Sequence, residues 1–260
     1  MLAFVHIPKT AGTTLHKVIS HQYPREKIFI HHDTEGPPSA ELAARIEAQG
    51  ASVVMGHFSV GLHEFIPSLR YVTCLRDPIP RLLSHYRHAL YDPTHYLHRE
   101  AKSLTLAEYV SSGLSGELSD GMTRMLAGVG DFHHGKVTDE TLVLALSNLE
   151  TLFAAIIPSE RFDEGLLLLA RDLGWKSPFY LRRKVGHNPG TTTQPDSETL
   201  RAIEEHNRHD RQLYDLCSAR FAQRADADTE LLRQLARFRK TNSALGKAAF
   251  LAREFKARYL

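Results

Sequence analysis

Lys9, Gly12, Thr13 and Thr14 crowd the turn between an apolar run, Leu2 to Ile7, and an amphipathic one that opens at Leu15. An amine, a residue without a side chain and two hydroxyls at a helix start suit an anionic ligand. Backbone amides there point at whatever binds, the positive end of the helix dipole adds to them, and Lys9 supplies a full charge. Gly12 permits close backbone approach, Pro8 halts the strand, and Leu15, Val18 and Ile19 repeat at helical spacing behind the turn. The expected ligand group is phosphate or sulfate. Two further apolar runs end in polar chemistry. Leu69 to Leu75 leads into the turn Arg76-Asp77-Pro78 and a helix through Arg81 to Tyr86, and Ser52 to Met55 leads into Gly56-His57.

Spacing argues against the usual nucleoside triphosphate loop, because the Walker pattern places its lysine after the second glycine. Here Lys9 precedes Gly12. The order Pro8-Lys9-Thr10-Ala11-Gly12-Thr13-Thr14 after a strand resembles the phosphosulfate-binding loop of sulfotransferases that use 3′-phosphoadenosine 5′-phosphosulfate (PAPS). The likeness is to the carbohydrate branch, sulfotransferase family 2, which includes the heparan sulfate 2-O- and 6-O-type enzymes. It implies that Lys9, Thr10, Ala11, Gly12, Thr13 and Thr14 hold the phosphosulfate and that Arg76 and Ser84 hold the 3′-phosphate. Arginine offers a planar fork to phosphate oxygens, and a serine two helical turns onward adds a hydroxyl from the other side.

The same resemblance implies that His57 is the base. Neutral imidazole titrates near working pH and can take the acceptor hydroxyl's proton, while Lys9 stabilises the departing 5′-phosphate. His63 is the reserve, set beside the acceptor, and Glu64 and Asp33 are the carboxylates considered for orienting the base. Asp120 to Gly128 resembles a family segment near cofactor and acceptor, which implies that Arg124 contacts an acidic sugar. The basic stretch Arg182-Arg183-Lys184 resembles a loop that closes over the nucleotide, giving Arg183 and Lys184 a cofactor-binding role. The implied reaction moves the sulfuryl group of PAPS in line to a hydroxyl of a carbohydrate or glycolipid acceptor, with no metal.

Each motif also has an ordinary reading. Arg76 and Asp77 suit a strand-end ion pair before a proline helix start, His57 suits a structural histidine, and Arg182 to Lys184 suit a solvated charge run. Two functional rivals stay open: a nucleotide-dependent kinase, and a protein that binds PAPS or its product without transferring anything.

The strand candidates Leu2 to Ile7, Lys27 to His31, Ser52 to Met55, Leu69 to Leu75 and Leu152 to Ile157 alternate with helical patterns. They predict an α/β fold with a central parallel sheet flanked by helices and the site beyond the carboxyl ends of its strands, which the resemblance implies is a P-loop-like, three-layer fold. With 260 residues and 42% hydrophobic content, the chain can bury one large core, so the expectation is one sulfotransferase domain, 1–222. A basic C-terminal extension, 223–260, follows as two amphipathic helices that could touch an anionic membrane surface or pack on the domain. The polar stretch Tyr91 to Leu104, rich in His, Tyr and Arg, is expected to be a long connection between helices, read as an acceptor-binding lid or loop or else as simple surface. The net charge of +2 does not announce a nucleic-acid binder. Cys74 and Cys217 read as packed thiols, and the N-terminal run is interrupted by His6 and Pro8, so a cytoplasmic enzyme with no signal peptide or spanning helix is expected. The pairs His31-His32, His85/His88 and His133-His134 lack a metal-ligand pattern.

Overall fold

The structure is a computed structural model, and it describes residues 1–32, 34, 36–129, 136–176, 178–180 and 195–259; in the last helix side chains are described to residue 244 and at 248. Five parallel strands form its centre: β1 (Leu2–Val5), β2 (Ile28–Ile30), β3 (Val53–Gly56), β4 (Arg70–Leu75) and β5 (Phe153–Pro158), in the order β2-β3-β1-β4-β5. The chain therefore starts at the middle of the sheet, and β1 lies between the two strands that carry Gly56-His57 and Arg76. Register aligns Val5 with both Gly56 and Thr73, so all three strands end on one edge.

Near-continuous apolar strands are what a sheet covered on both faces requires. In β1, Leu2 and Phe4 face one layer, where α1 (Gly12–Gln22) brings Leu15, Val18 and Ile19 and α8 (Phe162–Asp172) brings Leu166 and Leu169. Ala3 and Val5 face the other, against α2 (Ala40–Ala48), α6 (Gly121–Ala127), α7 (Asp139–Leu152) and α10 (Arg208–Asp226). Leu15 and Ile19 are fully buried, each stabilising the fold by roughly 1.5–3 kcal/mol. A smaller apolar cluster packs α3 (Pro78–Tyr91), α4 (His98–Ser103), α5 (Leu106–Ser111) and α9 (Ser197–His206) together past the carboxyl edge. Cys74 and Cys217 are free and buried, and burial pushes the Cys217 thiol up to about 11.

Two expectations about helices change. Half of the connection expected over Tyr91 to Leu104 is helical, because α3 runs to Tyr91 and α4 takes up His98–Ser103. The two C-terminal helices are one, α11 (Thr229–Tyr259), since its polar stretch Thr241-Asn242-Ser243 contains neither proline nor glycine to stop it. α10 runs unbroken across residues 222 and 223. The first half of α11 is docked on the sheet layer: Leu231, Leu235 and Phe238 are buried, Arg239 donates to Asp163 at 3.0 Å, and the Tyr180 main-chain N–H donates to Asn242 at 3.0 Å. No described helix is long and apolar enough to cross a membrane.

Candidate active site

The turn after β1 holds two non-glycine residues in the left-handed region, Lys9 at φ 67° and Ala11 at φ 70°, with Thr10 between them on the negative side. That alternation is the backbone geometry of an anion nest. Left-handed backbone costs roughly 1–2 kcal/mol at each such residue, so neighbouring bonds must hold it. Thr10 Oγ1 donates to the Ile7 carbonyl at 2.8 Å, Arg76 Nη1 donates to the Lys9 carbonyl at 3.1 Å, and the Thr14 amide donates to the Ala11 carbonyl at 3.0 Å. Gly12 then opens α1. Its role is space: a Cβ there would sit 2.0 Å from His6 Cδ2, inside a ring that is itself stacked on Phe4 and His57.

His57 follows Gly56, whose φ of 153° and whose 1.7 Å approach of a built Cβ to the His31 carbonyl oxygen leave room for glycine alone. The His57 ring stacks on His6 with centroids 4.2 Å apart, and its amide donates to His32 Nδ1 at 3.2 Å. Burial lowers the His57 pKa and His32 lowers it further, against the Glu117 carboxylate and the His6 main chain, which pull upward. Burial, followed by the neighbouring Arg76, likewise lowers Lys9.

Lys9 and His57 line one cavity of about 600 Å³ at the carboxyl edge of the sheet. Its near wall is the turn itself, from Pro8 to Thr13; its far wall is α3, through His85 and His88, and the segment that follows it. Glu117 closes the floor, its Oε2 2.7 Å from His85 Nε2. Burial would raise the Glu117 pKa, but the contact with His85 and the charges of His57 and Arg81 hold it below the usual carboxylate range. Asp77 caps α3 by accepting from the Ile79 amide at 2.8 Å, and Arg211 forks onto both its oxygens at 2.6 and 2.9 Å. Asp77 is therefore Arg211's partner, which answers the strand-end ion-pair reading of Arg76. The site thus has an anion nest, a buried amine and a neutral imidazole facing a common space, with a guanidinium bracing the nest from behind. A family model described as sulfotransferase family matches residues 1–241. The chain belongs to sulfotransferase family 2. Its α/β fold with a parallel five-stranded sheet is the P-loop-like fold of such enzymes. No curated protein matches the sequence significantly.

In this sulfotransferase the expected residues divide into two groups. Lys9, Ala11, Gly12, Thr13 and His57 line the cavity; Thr10 is buried beneath the turn and Thr14 lies in the first turn of α1. Ser84 is half-buried on α3, one turn before His88, and Arg76 stands behind the nest; neither is among the cavity-lining residues. Two of the residues expected to bind the acceptor sit elsewhere. Arg124 is buried in α6 and its Nε donates to the Ser119 carbonyl at 2.9 Å, and His63 packs edge-on against Tyr71, whose hydroxyl accepts from the His63 amide at 3.0 Å. Of the two carboxylates considered for the base, Glu64 is exposed on the turn with His63; among the described residues a carboxylate not considered, Glu117, acts on His57 electrostatically. Arg183, Lys184 and Asp33 lie outside the described residues. Among the described residues no group of three or more His, Cys, Asp or Glu could hold a metal ion.

His6, His85 and Glu117 line the cavity without having been singled out as site residues, and Tyr96 does so from the stretch 91–104. His6 was legible in principle, since it occupies the strand end just before the nest; Glu117 was not, because a short turn far along the sequence delivers it.

The buried histidines give stability a direction with pH. Burial, then the neighbouring His57, lowers His6 to about 2; burial, then His85, lowers His95 to about 4; His16 and His57 are also lowered, mainly by burial. Their unfolded values lie near 6.5, so below that pH the unfolded chain binds more protons and stability falls with acid. Stability is complete above pH 6.5 and His6 alone removes about 2–3 kcal/mol by pH 4.5. Thermal melting from pH 7.5 to 4.5 should show this decline beginning below 6.5; a flat profile down to pH 5 refutes it.

Proposed function

We propose that this family member transfers the sulfuryl group of PAPS to a carbohydrate hydroxyl with His57 as general base. The single observation carrying the reading is that the nest with its Lys9 amine and the His57 imidazole face one cavity. His57 takes the acceptor proton, the acceptor oxygen attacks sulfur, and the bond from sulfur to the bridging oxygen of the 5′-phosphate breaks. The products are a sulfate ester, adenosine 3′,5′-bisphosphate and a proton on His57. Lys9 and the amides of the nest stabilise charge as it grows on the leaving phosphate. Because its lowered pKa keeps His57 unprotonated in mild acid, the acid limb of kcat/KM falls below 6.5.

Incubation with sulfur-labelled PAPS and a panel of sugars tests the assignment, labelled sugar being the expected product. His57→Ala should lower turnover by about 10²–10⁴. The same variant should keep its thermal shift with adenosine 3′,5′-bisphosphate. A wild-type protein that binds the nucleotide but labels no acceptor sinks the transfer reading in favour of a sensor, and a shift with Mg-ATP in place of the bisphosphate favours a kinase.

A further inference from the structure

We infer that the acceptor is an uncharged sugar, seated with one ring face on Tyr96 and its hydroxyls toward Asp92, Thr94 and Glu117. This rests on the proposed function and deepens it. The half of the cavity away from the nest is built from the end of α3, the segment 92–96 and Glu117. Tyr96 lines the cavity while remaining 58% exposed, which puts its ring at the mouth. The ring is fixed from two sides: it stacks on His95 with centroids 4.8 Å apart and planes 20° from parallel, and its hydroxyl lies 2.9 Å from Ser115 Oγ. A large, held, half-wet aromatic face is what the C–H side of a pyranose packs against, since it removes apolar surface from water at little entropic cost.

Charge decides the sugar class. Among the described lining residues Lys9 is the permanent cation, and in the proposed function it faces the donor. Two carboxylates stand against it, Asp92 and Glu117. Asp92 is fixed by Thr94, whose amide and hydroxyl donate to its Oδ1 at 2.9 and 2.7 Å, and by His88 Nε2 at 3.3 Å from Oδ2. His88 and His95, beside Asp92, are neutral at pH 7, both being lowered chiefly by burial. Carboxylates and neutral imidazoles accept and donate hydrogen bonds to sugar hydroxyls, whereas a uronate or an already sulfated ring would bring like charge against Asp92 and Glu117. Arg124, which in the sequence suggested an acidic sugar, is bonded to the Ser119 carbonyl in α6 and does not line the cavity.

Matched oligosaccharides ending in glucose or in glucuronate, titrated calorimetrically into the protein saturated with adenosine 3′,5′-bisphosphate, test the inference. The neutral ligand should bind about tenfold or more tightly than the charged one. Tyr96→Ala should weaken it about tenfold, and Asp92→Lys should narrow or invert the preference while both variants keep the nucleotide thermal shift. Equal binding, tighter glucuronate binding, or no binding of either overturns the inference. A neutral sugar that binds but gains no label from PAPS overturns instead the transfer reading, so the two failures are told apart.

Discussion

Lys9→Gly should cut turnover by about 10²–10³ while the folded protein becomes more stable. The two effects come from different parts of one residue. Lys9 lines the cavity, and in the proposed reaction its amine stabilises the leaving phosphate, so its loss removes an electrostatic contribution that water cannot replace in a partly desolvated site. Its backbone sits at φ 67°, where any side chain costs roughly 1–2 kcal/mol and glycine costs almost nothing. Glycine's freer unfolded chain gives back about 0.5–1 kcal/mol, leaving a net gain of about 0.5–1 kcal/mol. Removing the amine also relieves its repulsion with Arg76 and its burial, both of which already lower its pKa. Lys9→Ala removes the same charge but keeps the strained backbone, so its turnover should match Lys9→Gly and its melting temperature should lie below it. Measured kcat for both variants beside their melting curves checks the split. A Lys9→Gly enzyme that keeps more than about a third of wild-type turnover removes Lys9 from the chemistry.

The same residue shows what one dimension of sequence can and cannot carry. Strands were legible because apolar runs such as Val53 to Met55 and Tyr71 to Leu75 allow one structure only when both faces are covered, and the polar residues at their ends mark the ligand edge. The helix starts at Gly12 and Pro78 were legible for the same local reason. Lys9's left-handed backbone was not, since its type gives no hint of positive φ; it is enforced by Arg76 and Thr10 from outside. Gly12 was read as a point of close approach for a ligand's oxygens; that the His6 ring also packs against it was not legible. The half of the cavity away from the nest was legible only in part: the stretch 91–104 that supplies Asp92, Thr94 and Tyr96 could be picked out, but Glu117 meets it only through the packing of α3, α4 and α5. Arg124 had the type for an acidic sugar, and its place, buried in α6 with Nε on the Ser119 carbonyl, depends on packing that residue type does not reveal. What brought these elements together is a polar cluster that periodicity does not reveal, centred on Asp210.

Asp210→Ala should cost about 3–5 kcal/mol, because it strands Arg81 as a buried charge. The pair lies 3.2 Å apart with side chains 1% and 0% exposed. Asp210 further accepts from the Met122 amide at 3.1 Å and from the Thr123 amide and hydroxyl at 2.7 and 2.8 Å, which pins the first turn of α6 to α10. Asn207 completes the cluster, accepting from Arg81 at 3.1 Å and from the Asp120 amide at 3.2 Å, while its own amide donates to the Leu118 carbonyl at 2.9 Å. Urea unfolding should show the loss as a lower midpoint with an unchanged slope. Arg81 gives the cluster a second consequence, since its Nη1 donates to the Glu117 carbonyl at 3.0 Å and so holds the cavity floor. An Arg81→Met, Asp210→Leu double variant removes both charges and should recover part of the lost stability, the Met122 and Thr123 donors staying unpaired. It leaves the Glu117 carbonyl without its donor, so acceptor KM should stay raised after stability returns. Recovery of stability and KM together would show that the pair only holds the fold, whereas their separation assigns Arg81 the further task of positioning Glu117 beneath the acceptor.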